Sequence, residues 1–268
     1  MVAAQKTEVL KSLQESILKL QGFKDPKGPT IGDSLGPIRA AFPNQAFPVG
    51  AVHEFICCGS EGTAATTGFI AGILTSLMKR GGVSVWISSS STVFPAALKS
   101  FLVEPDKIVF ISLKKDKDVM WAMNEALRCE SLTAVIGELN DLDFKSSRRL
   151  QLAVEQSMVT GFILRSDVSI ARSGSSKQNP TACVSRWAIT PLPCGPVRTG
   201  HPSCQADDLP GLGYPRWNVE LMKIRNGRPG TWQLVWANGQ FQLARPDNPV
   251  GRAGHSSSGI EDQQRKAG

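Results

Sequence analysis

Residues 47–67, FPVGAVHEFICCGSEGTAATT, contain the pattern that decides the fold. An apolar run at 51–57 predicts a buried strand, and the Gly-containing segment 58–63 predicts a turn. The apolar residues that follow at helical spacing predict a helix that ends near Gly81. A strand, a Gly-containing turn and a helix in this order are the setting of a phosphate-binding loop, because the turn directs backbone N–H groups at the phosphates.

Short apolar runs alternate with longer amphipathic segments further along the chain. Repeated strand–helix units of this kind produce a parallel sheet that is covered by helices on both faces. The sequence therefore predicts an α/β fold with a mostly parallel sheet. The predicted strands are 83–87, 107–111, 133–136 and 161–164, and the predicted helices are 92–101, 118–129 capped by Asp118, and a third capped by Ser146 or Ser147.

The chain follows a different pattern after the fifth predicted strand. Residues 166–215 are rich in Ser, Gly, Pro and basic side chains, which indicates a loop-rich basic segment. Asn238-Gly239 predicts a hairpin turn, because both turn positions favour positive φ. We expect a C-terminal antiparallel hairpin beside the parallel sheet. The predicted strands of this part are 183–190, 217–224, 232–236 and 241–243.

Composition divides the chain into four parts. Residues 1–22 predict an amphipathic helix, and the Pro- and Gly-rich residues 23–48 predict a linker. The main domain is expected at 49–245. Residues 246–268 have few core-forming side chains and predict a disordered tail. The N-terminal helix carries one apolar stripe, which we expect to dock on a partner protein and which consists of Leu10, Leu13, Ile17 and Leu20.

The chain has a formal net charge of +7, from 30 basic and 23 acidic side chains. Residues 165–268 hold 13 of the basic and 7 of the acidic side chains, so the excess is concentrated there. An uneven basic half favours an anionic partner such as nucleic acid, and the alternative is a solvated basic face. The candidate DNA-binding residues are Arg172, Lys177, Arg186 and Arg198.

Several classes of protein are disfavoured by the composition. No apolar run approaches the ~18 residues that a membrane span needs, and no secretory signal is recognisable, so we expect a cytoplasmic protein. The six cysteines form no C-x-x-C pair and are expected to be reduced thiols. His53-Glu54 lacks the second histidine of a zinc protease, and we interpret it as a buried, hydrogen-bonded pair. No metal ion is expected.

The candidate phosphate loop departs from the pattern G-x-x-x-x-G-K-[ST]. Gly59 and Thr66 match its first and last positions, but Ala64 and Ala65 replace the second glycine and the lysine. Without the lysine, the charge of the β- and γ-phosphates is not balanced, so we expect no ATP or Mg²⁺ cofactor and no hydrolysis. The residues of this degenerate nucleotide site are Gly59, Gly62, Thr66, Thr67 and Glu138.

The quoted stretch resembles the opening of the RecA core, in which a P-x-G strand with a glutamate enters the phosphate loop. The run from 47 to 243 closely resembles the ImuA family of RecA-like proteins. The further segments that carry the resemblance are VSVWISSSSTVFP, VMWAMNEALRCESLTAVIGELNDLDFKSSRRLQLAVEQS, ACVSRWAIT and GYPRWNVELMKIRNGRPGTWQLVWANGQFQL.

This resemblance implies a RecA-like core and a role in SOS-regulated, DNA-damage-induced mutagenic translesion synthesis. It also implies RecA, an ImuB-type polymerase-like protein and an alternative DnaE-type polymerase as partners. In RecA-type ATPases a catalytic glutamate follows the second strand, whereas here residues 88–91 are all serine. The Walker B strand should end in aspartate, but Gly137 stands there and Glu138 follows one step late. We therefore expect no catalytic residue and a non-hydrolytic adaptor.

Two other functions remain open on the sequence. One is a weak DNA-dependent ATPase that holds Mg²⁺ with Thr66 and Glu138, and the other is a module that binds DNA directly through its basic half. Glu138 also has a structural interpretation, in which it pairs with Arg148 or Arg149.

Overall fold

The computed structural model describes residues 12–13, 16, 33–89, 93–166, 179–194 and 213–244. Its strands are β1 (Val52–Cys57), β2 (Val83–Ser88), β3 (Ile108–Ser112), β4 (Leu132–Leu139), β5 (Thr160–Ser166), β6 (Ser185–Leu192), β7 (Arg216–Ile224), β8 (Gly230–Ala237) and β9 (Gln240–Leu243). Its α-helices are α1 (Gly59–Leu77), α2 (Asp116–Ala126) and α3 (Phe144–Ser157). Short 3₁₀ helices occur at Asp33–Ala41, Pro43–Gln45, Met78–Arg80, Pro95–Phe101 and Pro105–Lys107.

All the strands belong to one sheet, in the order β3-β2-β4-β5-β1-β6-β7-β8-β9. The pairs from β3 to β6 are parallel, and the pairs from β6 to β9 are antiparallel. Strand β1 lies between β5 and β6, so it is enclosed by strands on both edges. The predicted α/β architecture, with a mostly parallel sheet and C-terminal antiparallel strands, matches this topology.

Helices cover both faces of the parallel part of the sheet. The helix α1 contributes Phe69 and Ile73 to the core on one face, together with Phe55 of β1. On the other face, Met123 of α2 and Val154 of α3 pack in a second core. Every residue of β1 is buried, which explains why apolar residues occur on both faces of this strand; its two polar residues, His53 and Glu54, are buried as well.

Residues 33–48, which the sequence assigns to a linker, pack against the sheet. Leu35, Ile38, Phe42 and Phe47 are all less than 5% exposed and belong to the α1-side core. This part of the 23–48 segment is therefore part of the folded core. The apolar residues are spread among Pro and Gly without helical or strand periodicity, so the sequence pattern gave no sign of burial.

Local chemistry corrects three predicted helices. The predicted helix 92–101 is a short 3₁₀ helix, Pro95–Phe101, which begins at a proline. The helix α2 begins at Asp116 after Lys115, so the predicted cap Asp118 is wrong. The cap of α3 is Asp143 instead of Ser146 or Ser147: the Ser146 N–H donates to Asp143 Oδ1 over 2.8 Å.

Candidate functional site

The junction of β1 and α1 has no phosphate loop. Strand β1 ends at Cys57 and α1 begins at Gly59, so a single residue, Cys58, separates them. The turn predicted over 58–63 is therefore wrong, because those residues enter the first turns of the helix. Gly59 allows the chain to pass directly from β1 into α1, because its φ of 68° is a conformation that glycine adopts readily. A Cβ atom at this position would meet no other atom within 4 Å.

A cavity of about 530 Å³ opens at this carboxyl edge of the sheet. It lies between the first turns of α1 and the 3₁₀ helix Pro95–Phe101. Its polar lining consists of Ser60, Thr63, Thr67, Glu138 and Ser166. Its remaining lining, which is apolar, consists of Ala64, Gly68, Val93, Phe94, Ala97, Leu98, Phe101, Pro215 and Trp217.

The lining has no cationic side chain among the described residues. Ala64 lines the cavity, whereas Ala65 is 6% exposed and packs into the α1-side core. These are the positions at which the loop pattern would have glycine and lysine. The described lining at this edge therefore combines an aromatic and aliphatic wall with the hydroxyl-bearing residues and Glu138.

The structure separates the five predicted nucleotide-site residues. Thr67 and Glu138 line the cavity, but Gly59, Gly62 and Thr66 do not. Thr66 is fully buried, and its hydroxyl has no hydrogen-bond partner within the described part of the chain. A methyl group at Gly62 would come no closer than 3.9 Å to other atoms, so no close approach requires this glycine.

Glu138 faces the cavity from the end of β4. Trp86 of the neighbouring strand β2 donates its indole N–H to Glu138 Oε1 over 2.8 Å. This bond corrects the predicted pairing of Glu138 with Arg148 or Arg149. Arg148 Nη1 instead lies 3.6 Å from Glu155 Oε1, about two helical turns further along α3.

The alternation of β4 explains why Glu138, rather than residue 137, faces the site. Side chains at successive strand positions point to opposite faces. A methyl group at Gly137 would lie 2.5 Å from Met123 Sδ, on the α2 side of the sheet. The Walker B pattern predicts the acidic residue at position 137, whose side chain would face α2. The residue that faces the α1 side is therefore one position later, at Glu138.

A buried ionic cluster lies on the opposite face of β1. The Glu54 side chain is fully buried and accepts from Arg165 Nη1 at 3.2 Å, Arg186 Nε at 2.8 Å and the Thr181 hydroxyl at 2.8 Å. Arg165 also lies 3.3 Å from Asp141 Oδ1. The sequence indicates this cluster only through a carboxylate within an otherwise mostly apolar strand. A charge buried in that way must be paired.

This cluster corrects the DNA-binding assignment of Arg186. Its side chain is only 11% exposed and is directed at Glu54, so it is not displayed for a phosphate. The other three candidates, Arg172, Lys177 and Arg198, lie outside the described residues.

His53 occupies the α1-side face and forms its own chain of hydrogen bonds. The Trp187 indole N–H donates to Ser185 Oγ over 2.6 Å, and the Ser185 hydroxyl donates to His53 Nδ1 over 2.6 Å. The His53 Nε2–H donates to the Pro48 carbonyl over 2.8 Å. Burial lowers the pKa of His53 to about 4, against a smaller opposing effect of the Pro48 bond. His53 and Glu54 are thus both buried, but each bonds to different partners.

The predicted docking stripe is described only at Leu13, which is helical and 52% exposed. Leu10, Ile17 and Leu20 lie outside the described residues. The described ranges contain no group of three His, Cys, Asp or Glu side chains that could hold a metal ion. None of the helices described is long and apolar enough to cross a membrane.

The sequence matches no family model. It is 31% identical over 211 residues to Protein ImuA of Caulobacter vibrioides strain NA1000 / CB15N, which covers 77% of this chain and 83% of that protein. The Protein ImuA of Caulobacter vibrioides strain ATCC 19089 / CIP 103742 / CB 15 has the same identity and coverage. Among solved structures, the RadB recombinase has a TM-score of 0.50 and 8% identity and covers 75% of this chain and 93% of its own. The predicted RecA-like fold is confirmed.

Proposed function

The chain belongs to the ImuA family, and from that premise we propose that it is a non-hydrolytic RecA-like adaptor in DNA-damage-induced mutagenic translesion synthesis. In this proposal it works in the cytoplasm as part of the SOS response. It binds RecA and an ImuB-type polymerase-like partner, and through them serves an alternative DnaE-type polymerase.

One observation carries the non-hydrolytic part of the proposal. A single residue separates β1 from α1, at a cavity whose described lining has no lysine or arginine. Phosphoryl transfer depends almost entirely on positioning and on stabilising the charge of the transferring group. The described part of this site has neither a loop around the phosphates nor a cation, which supports action through contact with other macromolecules.

The N-terminal stripe is the proposed docking element for RecA or the ImuB-type partner. Leu13 is more than half exposed, and a free apolar stripe on a helix is stabilised when it lies in a groove of a partner. A charge on the stripe would have to be buried on docking, at a cost of several kcal/mol.

A pull-down tests this docking element. We expect the full chain with Leu13→Asp and Ile17→Asp to lose retention of RecA or of the ImuB-type protein, while its circular dichroism is unchanged. The matched control carries the same two added charges off the stripe, as Ser12→Asp and Ser16→Asp, and should retain both proteins. Retention by the stripe variant would remove the helix from the docking role.

A second candidate function, a weak DNA-dependent ATPase, is favoured by the position of Glu138. Its carboxylate faces the cavity together with the Thr67 hydroxyl, and oxygen ligands of this kind suit Mg²⁺. Phosphate release measured with and without single-stranded DNA separates the two functions. Turnover that Glu138→Gln abolishes would support the enzyme, and its absence supports the adaptor.

A further inference from the structure

Positive charge is concentrated where β7 leads into β8. The end of β7 and the connection that follows it have the sequence KIRNGRP, from 223 to 229. Lys223 and Arg228 are exposed, and Arg225 is half-buried. Residues 221–244 contain no Asp or Glu, so these three cations have no acidic neighbour along that part of the chain.

The backbone of this connection is fixed against the folded core. The Arg228 N–H donates to the Ala41 carbonyl over 2.9 Å. A methyl group at Gly227 would clash with that same carbonyl oxygen, so the chain passes Ala41 too closely for a side chain at position 227. Asn226 has a positive φ of 58°, which asparagine tolerates in turns. The cations are therefore displayed from a defined position, which lowers the entropic cost of binding a ligand.

Two of the cations lie side by side on neutral groups. Lys223 Nζ donates to the Thr181 carbonyl over 3.1 Å, and Arg225 Nη2 donates to the Ala182 carbonyl over 3.4 Å. No ion pair joins Lys223, Arg225 or Arg228 to a carboxylate of the described residues. Neighbouring like charges repel each other, so an anion that contacts these side chains would stabilise them.

The carboxylates of the surrounding elements leave this positive charge uncompensated. Residues 34–53, which include the contact at the turn, contain no Asp or Glu. Residues 179–184 hydrogen-bond to β1 and to α3, which hold one carboxylate each, Glu54 and Glu155. Both are paired with arginine, and α3 holds three cations for its one carboxylate. Strand β7 adds only Glu220, against the three cations that follow it.

The chemistry of this surface suits a phosphate backbone better than an acidic protein. Exposed amide side chains, which commonly contact phosphate oxygens, accompany the cations at Asn44, Gln45 and Asn226. Ile224 is buried, and no aromatic residue occurs from 223 to 229. A protein–protein interface has an apolar core, and recognition of unpaired bases uses aromatic rings, whereas phosphate contacts need only charge and hydrogen-bond donors.

We propose that the β7–β8 connection is a binding site for the phosphate backbone of DNA, formed by Lys223, Arg225 and Arg228 and independent of base sequence. Each side chain neutralises one phosphate, and the planar guanidinium of each arginine can donate two hydrogen bonds to it. The site replaces the buried Arg186 among the predicted DNA-binding residues. It is additional to the adaptor role and does not depend on it.

Fluorescence anisotropy of the full chain with a labelled DNA duplex of mixed sequence tests this site. Each phosphate contact on B-DNA contributes about 0.9 to the slope of log affinity against log salt. We expect Arg225→Gln with Arg228→Gln to lower that slope by about 1.8 and to weaken binding by at least about tenfold at ~0.1 M salt. The matched control, Lys114→Gln with Lys115→Gln, also removes two exposed cations, after β3 at the other edge of the sheet. It should leave the slope unchanged.

A single substitution and a competitor complete the test. Arg228→Gln alone should lower the slope by about 0.9, and it keeps the test decisive if loss of the Arg225–Ala182 bond disturbs the fold of the double variant. An unsubstituted chain that does not bind the duplex, an unchanged slope in both variants, or an equal decrease in the control would overturn the proposal. Poly-L-glutamate that competes as well as DNA at equal charge concentration would also overturn it, because the surface would then suit an acidic protein.

Discussion

Replacement of Glu54 by glutamine is expected to destabilise the protein strongly. The carboxylate is fully buried and lies within 3.2 Å of two guanidinium groups whose side chains are 8% and 11% exposed. Glutamine preserves the shape but removes the negative charge, so two buried cations then face a neutral amide. Breaking a buried ionic cluster by removing one partner costs about 3–5 kcal/mol.

Asp141 reduces this cost only slightly. It lies 3.3 Å from Arg165, but its side chain is 74% exposed, so solvent screens its charge. Arg186 depends on Glu54 for its 2.8 Å carboxylate contact. We therefore expect Glu54→Gln to lower the free energy of unfolding by about 3–5 kcal/mol, the cost of removing one partner from a buried ionic cluster.

Urea unfolding followed by circular dichroism and tryptophan fluorescence measures this change. The matched control is Glu155→Gln, which removes a carboxylate from a half-exposed pair with Arg148 at 3.6 Å. That change should cost less than about 1 kcal/mol. A Glu54→Gln variant within about 1 kcal/mol of the unsubstituted protein would refute the view that this cluster joins β1 to its two neighbouring strands.

Three further predictions concern single residues. The pKa of His53 is lowered to about 4 in the fold, so its contribution to stability is complete above pH 6.5 and decreases as the pH falls towards 4. Relative to His53→Asn, the free energy of unfolding should fall by about 2 kcal/mol from pH 7 to pH 5. Parallel curves of unfolding free energy against pH for the two proteins would disprove this. Gly36→Ala should prevent stable folding, because the new methyl group would lie 2.1 Å from a backbone oxygen of β9. Gly81→Ala meets no atom within 4 Å, so it should cost only the ~1–3 kcal/mol of a side chain in a backbone conformation that favours glycine. Equal thermal shifts would contradict the difference. Cys183 should resist iodoacetamide in the native protein, because burial raises its pKa to about 12, whereas exposed Cys58 should react. Peptide mapping that finds Cys183 labelled as fast as Cys58 would contradict this prediction.

The parallel core could be predicted because its residues repeat one simple pattern. Strands buried on both faces are short apolar runs, and the helices between them have one apolar side, so both can be recognised locally. The Asn238-Gly239 turn was equally clear: Asn238 and Gly239 have φ of 54° and 73° between β8 and β9. The ImuA family was also accessible from the sequence, since its motifs occur in order along most of the chain.

The site could be predicted only in part, because its errors depend on contacts between distant residues. The start of α1 at Gly59 depends on the positive φ of that residue, which the turn-like composition of 58–63 does not distinguish from a longer loop. Arg186 looked like a free cation until the fold placed it beside Glu54. The side of the sheet that Glu138 faces follows from the register of β4, which a difference of one residue reverses.

Equilibrium titration of the purified full chain with a fluorescent ATP analogue and Mg²⁺, followed by phosphate release on single-stranded DNA, tests the central claim most directly. The absence of a loop between β1 and α1, and of a cation in the described cavity lining, leads us to expect neither saturable binding in the micromolar range nor turnover above a protein-free control. Micromolar binding with DNA-stimulated hydrolysis that Glu138→Gln abolishes would contradict it.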